Sequence, residues 1–259
     1  MLRTRVIPAL LLHGKSLVKT KRFGKYQYIG DPANTVRIFN ELEVDELCFL
    51  DIKAARDRTD PDFEVLRDIA TECFMPLSYG GGIASLEVAK RVFDIGFEKI
   101  ILNTASYSNP NLITEIANLY GTQAVVVSMD VRKHLWKGMR LVTQGGTRWK
   151  NIPPVEWARQ VESLGAGELL LTAVDCEGMW EGFDFALVEE ISNAVSIPVI
   201  AHGGAGTIQH IIQAVEAGAS AVALGSMVVF QRKDMGVLVN FPSQLSMDTF
   251  QKYDNRLCD

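Results

Sequence analysis

The chain is poor in the residues that build metal sites and disulfide frameworks. Its four cysteines, Cys48, Cys73, Cys176 and Cys258, contain no CxxC pair or other metal-ligand spacing, so reduced thiols are expected. The four histidines, His13, His134, His202 and His210, are scattered, and no metal or cofactor is implied. No apolar run approaches the length of a membrane span, which argues against a membrane protein. The start, Met1-Leu2-Arg3-Thr4-Arg5, passes straight into a strand-like run without the apolar core of a signal peptide, so a cytoplasmic protein is expected. Basic charge is not in excess either. The net charge of −5 argues against nucleic acid as the main partner. Finally, no Pro/Gly/Ser-rich linker divides the 259 residues, a length that suits one α/β barrel as well as two ordinary domains.

What is abundant is glycine at strand ends. Pro198-Val199-Ile200-Ala201 breaks into His202-Gly203-Gly204-Ala205-Gly206-Thr207 and then reopens as an amphipathic helical pattern. Leu77-Ser78-Tyr79 followed by Gly80-Gly81-Gly82-Ile83 does the same. Glycines there expose backbone N–H groups where a helix begins, which suits a phosphate. About twenty residues beyond each lies a second strand end, Asn103-Thr104 and Gly225-Ser226. The alternative is that these glycines only permit tight turns against the helices. The two halves superpose by subtraction: Glu46 to Glu168, Gly96 to Gly218 and Asn103 to Gly225 are each 122 apart, and Gly80 to Gly203 is 123. A repeat this long points to internal two-fold pseudosymmetry rather than a solenoid.

The apolar runs predict strands over Val6–Leu12, Glu46–Ile52, Met75–Tyr79, Lys99–Leu102, Gln123–Asp130, Glu168–Val174, Pro198–Ala201 and Ala219–Leu224. Helical patterns fall between them at Pro32–Leu42, Phe63–Cys73, Leu86–Phe93, Asn111–Leu119, Val155–Leu164, Phe185–Asn193 and Ile208–Ala217. Eight such alternations predict a single (β/α)8 TIM barrel, an α/β fold filling residues 1–259, with half-barrels at about 1–121 and 122–230. His134–Thr143 reads as a hairpin inserted after the fifth strand. His13–Asp31 reads as a long polar loop whose five basic residues, Lys15, Lys19, Lys21, Arg22 and Lys25, predict an anionic ligand. In the tail, Val237–Ser243 looks extended and Leu245–Tyr253 is the one candidate for a closing helix.

Chemistry in such barrels sits at the C-terminal strand ends. Those ends carry Leu11, Asp51, Gly80–Gly82, Asn103, Asp130, Thr172 with Asp175, Gly203–Gly206, and Gly225 with Ser226. Asp130 ends an otherwise apolar strand, which makes it a general acid/base candidate; its bland role would be to cap a loop or pair with Arg132. Cys48 lies in an apolar run and reads as core, and Cys176 has no evident histidine partner. At the other end Arg5, Glu46, Lys99 and Glu168 each stand at a strand start. Taken alone, such charges read as solvated ion pairs worth little.

Phe49-Leu50-Asp51-Ile52, Gly80–Ile83, Asn103-Thr104-Ala105, Gln123–Val127, Gly165-Ala166-Gly167-Glu168 and Gly203–Gly206 together resemble the cyclase subunit of imidazole glycerol phosphate synthase, from Met1 to about Phe230. The resemblance implies a barrel that receives ammonia from a glutaminase on its bottom face and passes it through the core. Arg5, Glu46, Lys99 and Glu168 match the family's ammonia gate. Asp130 matches the second of its two catalytic aspartates and Lys19 its first-loop lysine. The phosphate sites map to Gly81, Gly82, Asn103, Thr104, Gly203, Gly204, Gly206, Gly225 and Ser226, for a phosphorylated small-molecule ligand.

Departures are concentrated at the top. Leu11 stands where the family has its first catalytic aspartate, and leucine transfers no proton. In the loop Val174–Trp180, Glu177 replaces a second Asp and Met179 a Thr, and His202 replaces a small residue. This combination is similar to the glycosyl amidation-associated paralogues of surface-polysaccharide gene clusters, which pair with a glutaminase and serve a sugar amidotransferase. Three readings follow: an ammonia-conducting barrel for sugar amidination, with Asp130 orienting or deprotonating; the histidine-pathway lyase, with Asp51, Asp175 or Glu177 standing in for the missing acid; or a non-catalytic scaffold for the glutaminase.

Overall fold

A computed structural model describes residues 4–57 and 59–242. Eight parallel strands form its centre: β1 Arg5–His13, β2 Leu47–Asp51, β3 Leu77–Gly80, β4 Lys99–Leu102, β5 Val125–His134, β6 Glu168–Ala173, β7 Val199–His202 and β8 Ala221–Leu224. Each pairs with its neighbours in chain order, β8 pairs with β1, and β5 pairs with β6, so the sheet closes into a (β/α)8 barrel. Helices α1 Pro32–Glu41, α2 Phe63–Glu72, α3 Leu86–Ile95, α4 Asn111–Tyr120, α5 Pro154–Ser163, α6 Phe185–Ser192 and α7 Ile208–Glu216 connect them. Predicted boundaries move by one or two residues in most elements.

The strands are apolar on both faces because both are covered. Outward side chains such as Val125, Val127 and Leu169 belong to a large cluster shared with the helices, while Ile7, Ala9, Cys48, Ile101, Val126, Leu170, Ile200, Ala221 and Ala223 form a separate inner cluster. Helix starts are fixed by capping side chains: Asp31, Asp62, Ser85, Asp184 and Thr207 each accept an N–H from the first turn.

The 122-residue repeat is visible in the backbone. Ser85 (φ −146°, ψ 166°) matches Thr207 (φ −148°, ψ 161°), and Asn103 (φ −117°, ψ −89°) matches Gly225 (φ −100°, ψ −91°).

His13–Asp31 is not a loop. Ser16–Thr20 pairs antiparallel with β1, and Tyr26–Gly30 pairs with Ser16–Thr20, extending β1 into a three-stranded flap. Leu17, Val18, Lys19 and Thr20 are all buried, so the polar/apolar alternation that would announce a half-exposed strand is absent. The second hairpin is present as expected: β5 runs on past Asp130 to His134 and pairs with Gly138–Thr143. After β8 only the four-residue helix Ser226–Val229 follows among the described residues. The Phe230–Val237 bridge then leads into a segment described as far as Pro242. The expected helix at Leu245–Tyr253, and Cys258, lie outside the described residues.

Candidate functional site

At the N-terminal end of the barrel, four side chains close a ring. Arg5 donates from Nη1 to Glu46 (2.8 Å) and from Nη2 to Glu168 (2.7 Å), and Lys99 Nζ lies 3.2–3.4 Å from the oxygens of the same two carboxylates. Each cation therefore touches both anions. The Glu46 and Glu168 side chains are only 6% and 12% exposed, so this is a partly buried charge network and not a set of solvated surface pairs. Burial opposes the Arg5 charge, but Glu168 and Glu46 more than offset it and raise its pKa.

The C-terminal end opens into a cavity of about 260 Å³ lined by Leu11, Asp51, Gly81, Asn103, Asp130, Thr172, Glu177 and His202, with Phe23 and Tyr26 reaching in from the flap. Asp130 is buried. Its Oδ2 accepts from Asn103 Nδ2 (3.0 Å) and its Oδ1 from Ser128 Oγ (3.4 Å). Burial pushes its carboxyl up to about 7 against these bonds, so near neutral pH it exists in both protonation states, as proton transfer requires. Arg132 does not pair with it; that side chain reaches Asp175 (3.5 Å) and the Arg22 carbonyl instead.

Asp175 is correspondingly placed outside the cavity. Its carboxylate accepts the Lys133 N–H at 2.8 Å, tying the β6 loop to the extension of β5. Asp51 lines the cavity, but its Oδ1 already accepts the N–H groups of Lys53 and Ala54, capping the short helix Ala54–Asp57. Thr172 Oγ1 lies 3.1 Å from His202 Nδ1. His202 is buried, and burial, with the Lys19 charge adding to it, holds the imidazole neutral by lowering its pKa to about 3.

Lys19 and Glu177 form a buried ion pair. Glu177 also accepts from Thr20 Oγ1 (3.1 Å) and the Phe23 N–H (3.3 Å). Burial pulls the Lys19 ammonium down to about 7, which leaves its charge dependent on the carboxylate beside it. Ser128, Thr20 and Phe23 were not among the residues singled out from sequence. Ser128 had a usable signal, since it stands two residues before Asp130 on the same inward face.

The glycine stretches build two recesses beside the mouth. Gly81, Gly82, Asn103 and Thr104 line one of about 330 Å³ that shares Gly81, Asn103 and Thr104 with the main cavity. Gly203, Gly204, Gly225 and Ser226 line the other, which retains only about 10 Å³. Packing accounts for part of this glycine usage: a Cβ on Gly204 would stand 1.9 Å from the Gly182 carbonyl oxygen, and one on Gly81 2.6 Å from Asp51 Cβ. Gly206 is turned out of the recess, its N–H donating to His210 Nδ1 (3.2 Å). Cys176 is half-buried, and burial together with Asp184 and Asp175 raises its thiol pKa, so a reactive thiolate is not built there. Among the described residues no group of three or more His, Cys, Asp or Glu gathers as metal ligands, and no helix is long and apolar enough to cross a membrane.

Residues 5–234 match the family described as histidine biosynthesis protein. The chain belongs to this family. Within it, the chain is 47% identical over 249 residues, 96% of its length and 99% of the relative's, to a Pseudomonas aeruginosa protein provisionally named imidazole glycerol phosphate synthase subunit hisF2. It is 43% identical, over 94% of each chain, to a Vibrio vulnificus protein provisionally named subunit hisF3. To imidazole glycerol phosphate synthase subunit HisF of Thermobifida fusca it is 40% identical over 234 residues, 88% of this chain and 91% of that one.

For a member of the histidine biosynthesis family, the place at the end of β1 is the notable one. Leu11 pairs with Leu50 of β2 and is buried in the cavity wall, across the mouth from Asp130. Asp51, the nearest carboxylate in chain order on that side, is engaged in capping. The mouth thus presents the buried carboxyl of Asp130, and a neutral imidazole with a hydroxyl beside it.

Proposed function

We propose that this chain is an ammonia-conducting barrel, working with a HisH-like glutaminase at its N-terminal face and serving an amidotransferase that builds an acetamidino group on a nucleotide-activated sugar for surface polysaccharide. Leu11 carries this reading: the family's ring closure needs two carboxyl groups in complementary roles, and the place across the mouth from Asp130 is filled by the Leu11 side chain. The four-charge ring supports the inlet, because Arg5 and Lys99 each bridge Glu46 and Glu168 and one cation can swing aside while the other holds the pair. The small inner side chains Ala9, Cys48, Ala221 and Ala223 support a path through the core. At the top Asp130, held by Asn103 and Ser128, takes up or returns a proton as ammonia arrives. Gly81, Gly82, Asn103 and Thr104 hold the phosphate of the ligand.

The second reading is the cyclase subunit of imidazole glycerol phosphate synthase, favoured by the poised carboxyl of Asp130. The test is steady-state cyclase activity of the purified chain with the pathway's ribulosyl substrate and saturating ammonium chloride, beside Leu11→Asp. Amidation predicts an inactive wild type and measurable turnover in the variant. Wild-type turnover at an ordinary enzyme rate of about 1 s⁻¹ or more would establish the cyclase instead. A non-catalytic scaffold for the glutaminase predicts no turnover in either.

A further inference from the structure

The two recesses beside the mouth repeat each other in backbone but differ in what fills them. The first, on Gly81, Gly82, Asn103 and Thr104, is open to the main cavity. In the second, the Lys19 side chain lies against Gly225, so closely that a Cβ there would stand 2.8 Å from Lys19 Cε. The Glu177 carboxylate lines the same recess and takes the donors that an incoming anion would need: the Lys19 ammonium, the Thr20 hydroxyl and the Phe23 N–H. His202 forms the wall between this recess and the main cavity, lining both. About 10 Å³ remains, room for about one water molecule.

We propose that Glu177 is a specificity-determining residue: with Lys19 and His202 it pre-fills the second recess, so this barrel takes a ligand with one phosphate-bearing end and an uncharged far end, and rejects one phosphorylated at both ends. The inference rests on the phosphate reading of the first recess given above. Its physical basis is a carboxylate already in the anion's place. A phosphate entering there meets a like charge in a buried setting, and the cation that would hold it is already paired. The neutral His202 ring adds no compensating charge. Removing Glu177 from its place also breaks the tie between flap and barrel, because the Arg22 N–H donates to the Glu177 carbonyl while the Glu177 side chain accepts from Thr20 and Phe23.

The experiment is a ³¹P NMR and calorimetric titration of the full chain with inorganic phosphate, then with a sugar monophosphate and the matching bisphosphate. One phosphate per chain is expected, lost in Thr104→Asp. The bisphosphate should bind more weakly than the monophosphate, by about threefold or more, because its second phosphate meets the Glu177 carboxylate. Glu177→Ala should add a second phosphate equivalent. If that variant does not fold, Glu177→Gln, which removes the charge and keeps the shape, should narrow the discrimination against the bisphosphate. Two equivalents in the wild type, or a bisphosphate bound within about threefold of the monophosphate or tighter, overturns the inference and leaves the phosphate reading standing. No phosphate bound at all overturns both.

Discussion

Asp130 is a residue whose cost to the fold can be measured apart from its use. Its carboxyl pKa rises from 3.8 to about 7 through burial, so the folded chain keeps a proton that the unfolded chain gives up between about pH 4 and 7. Stability from this group therefore falls as pH rises through that window and levels off above it, by up to about 4 kcal/mol. Asp130→Asn keeps an oxygen to accept the Asn103 bond and removes the titration. The variant should unfold several degrees higher than wild type at pH 8, with less than half of the advantage left at pH 5, read by calorimetry. Lys19 and His202, whose lowered values act in the opposite sense, cancel in the difference. An advantage that does not change with pH would remove the buried carboxylate as its cause. The place of Asp130 at the mouth was legible in the sequence, because it follows the apolar run of a barrel strand at the end where such barrels open. Asp175 sits at an equally suggestive place yet turns away, because the β5 extension offers it the Lys133 N–H, a partner that only the hairpin's path brings near.

At the level of elements, glycine does two jobs that a sequence cannot separate. Gly204 has φ +115° and backs directly onto the Gly182 carbonyl, whose own N–H donates back to the Gly204 oxygen at 2.9 Å. A side chain there must push two loops apart as well as adopt a strained backbone. Gly204→Ala should cost at least about 3 kcal/mol, a fall in Tm of about 6–12 °C. Gly236→Ala, which meets no atom within 4 Å and has no positive φ, should leave Tm within about 1 °C. Equal, small effects in both would return Gly204 to a purely ligand-binding explanation. Helices were legible because their apolar residues recur at helical spacing between the strands. The flap was not, because Ser16–Thr20 is covered on both faces and carries its one lysine, Lys19, at a buried position. Lys19 was thus expected on a polar loop facing an anion, and is found against Glu177.

Across the whole molecule, the barrel separates the charge ring from the mouth by the length of its strands, so each end can be tested without disturbing the other. The repeat was legible by subtraction alone, and the backbone angles of Ser85 with Thr207 and of Asn103 with Gly225 match across it. The difference between its two recesses was not, because it depends on Lys19 and Glu177, which lie about 160 residues apart and meet only when the flap folds over β6. The N-terminal end carries, besides the charge ring, three exposed apolar side chains on the connections leading into β2, β3 and β5: Phe74 at 88%, Leu119 at 54% and Leu42 at 38%. An isolated exposed leucine needs no explanation, but an almost bare phenylalanine at the end of the barrel that carries the charge ring has the make-up of an interface anchor. Phe74→Asp should weaken binding of the glutaminase partner at least about tenfold, about 1.4 kcal/mol, with Tm unchanged because the side chain packs against little in the free chain. Phosphate binding at the mouth should also be unaffected, since Phe74 lies at the opposite end of the strands. Unchanged glutaminase affinity in a folded Phe74→Asp chain would mean that Phe74 is no anchor of that interface.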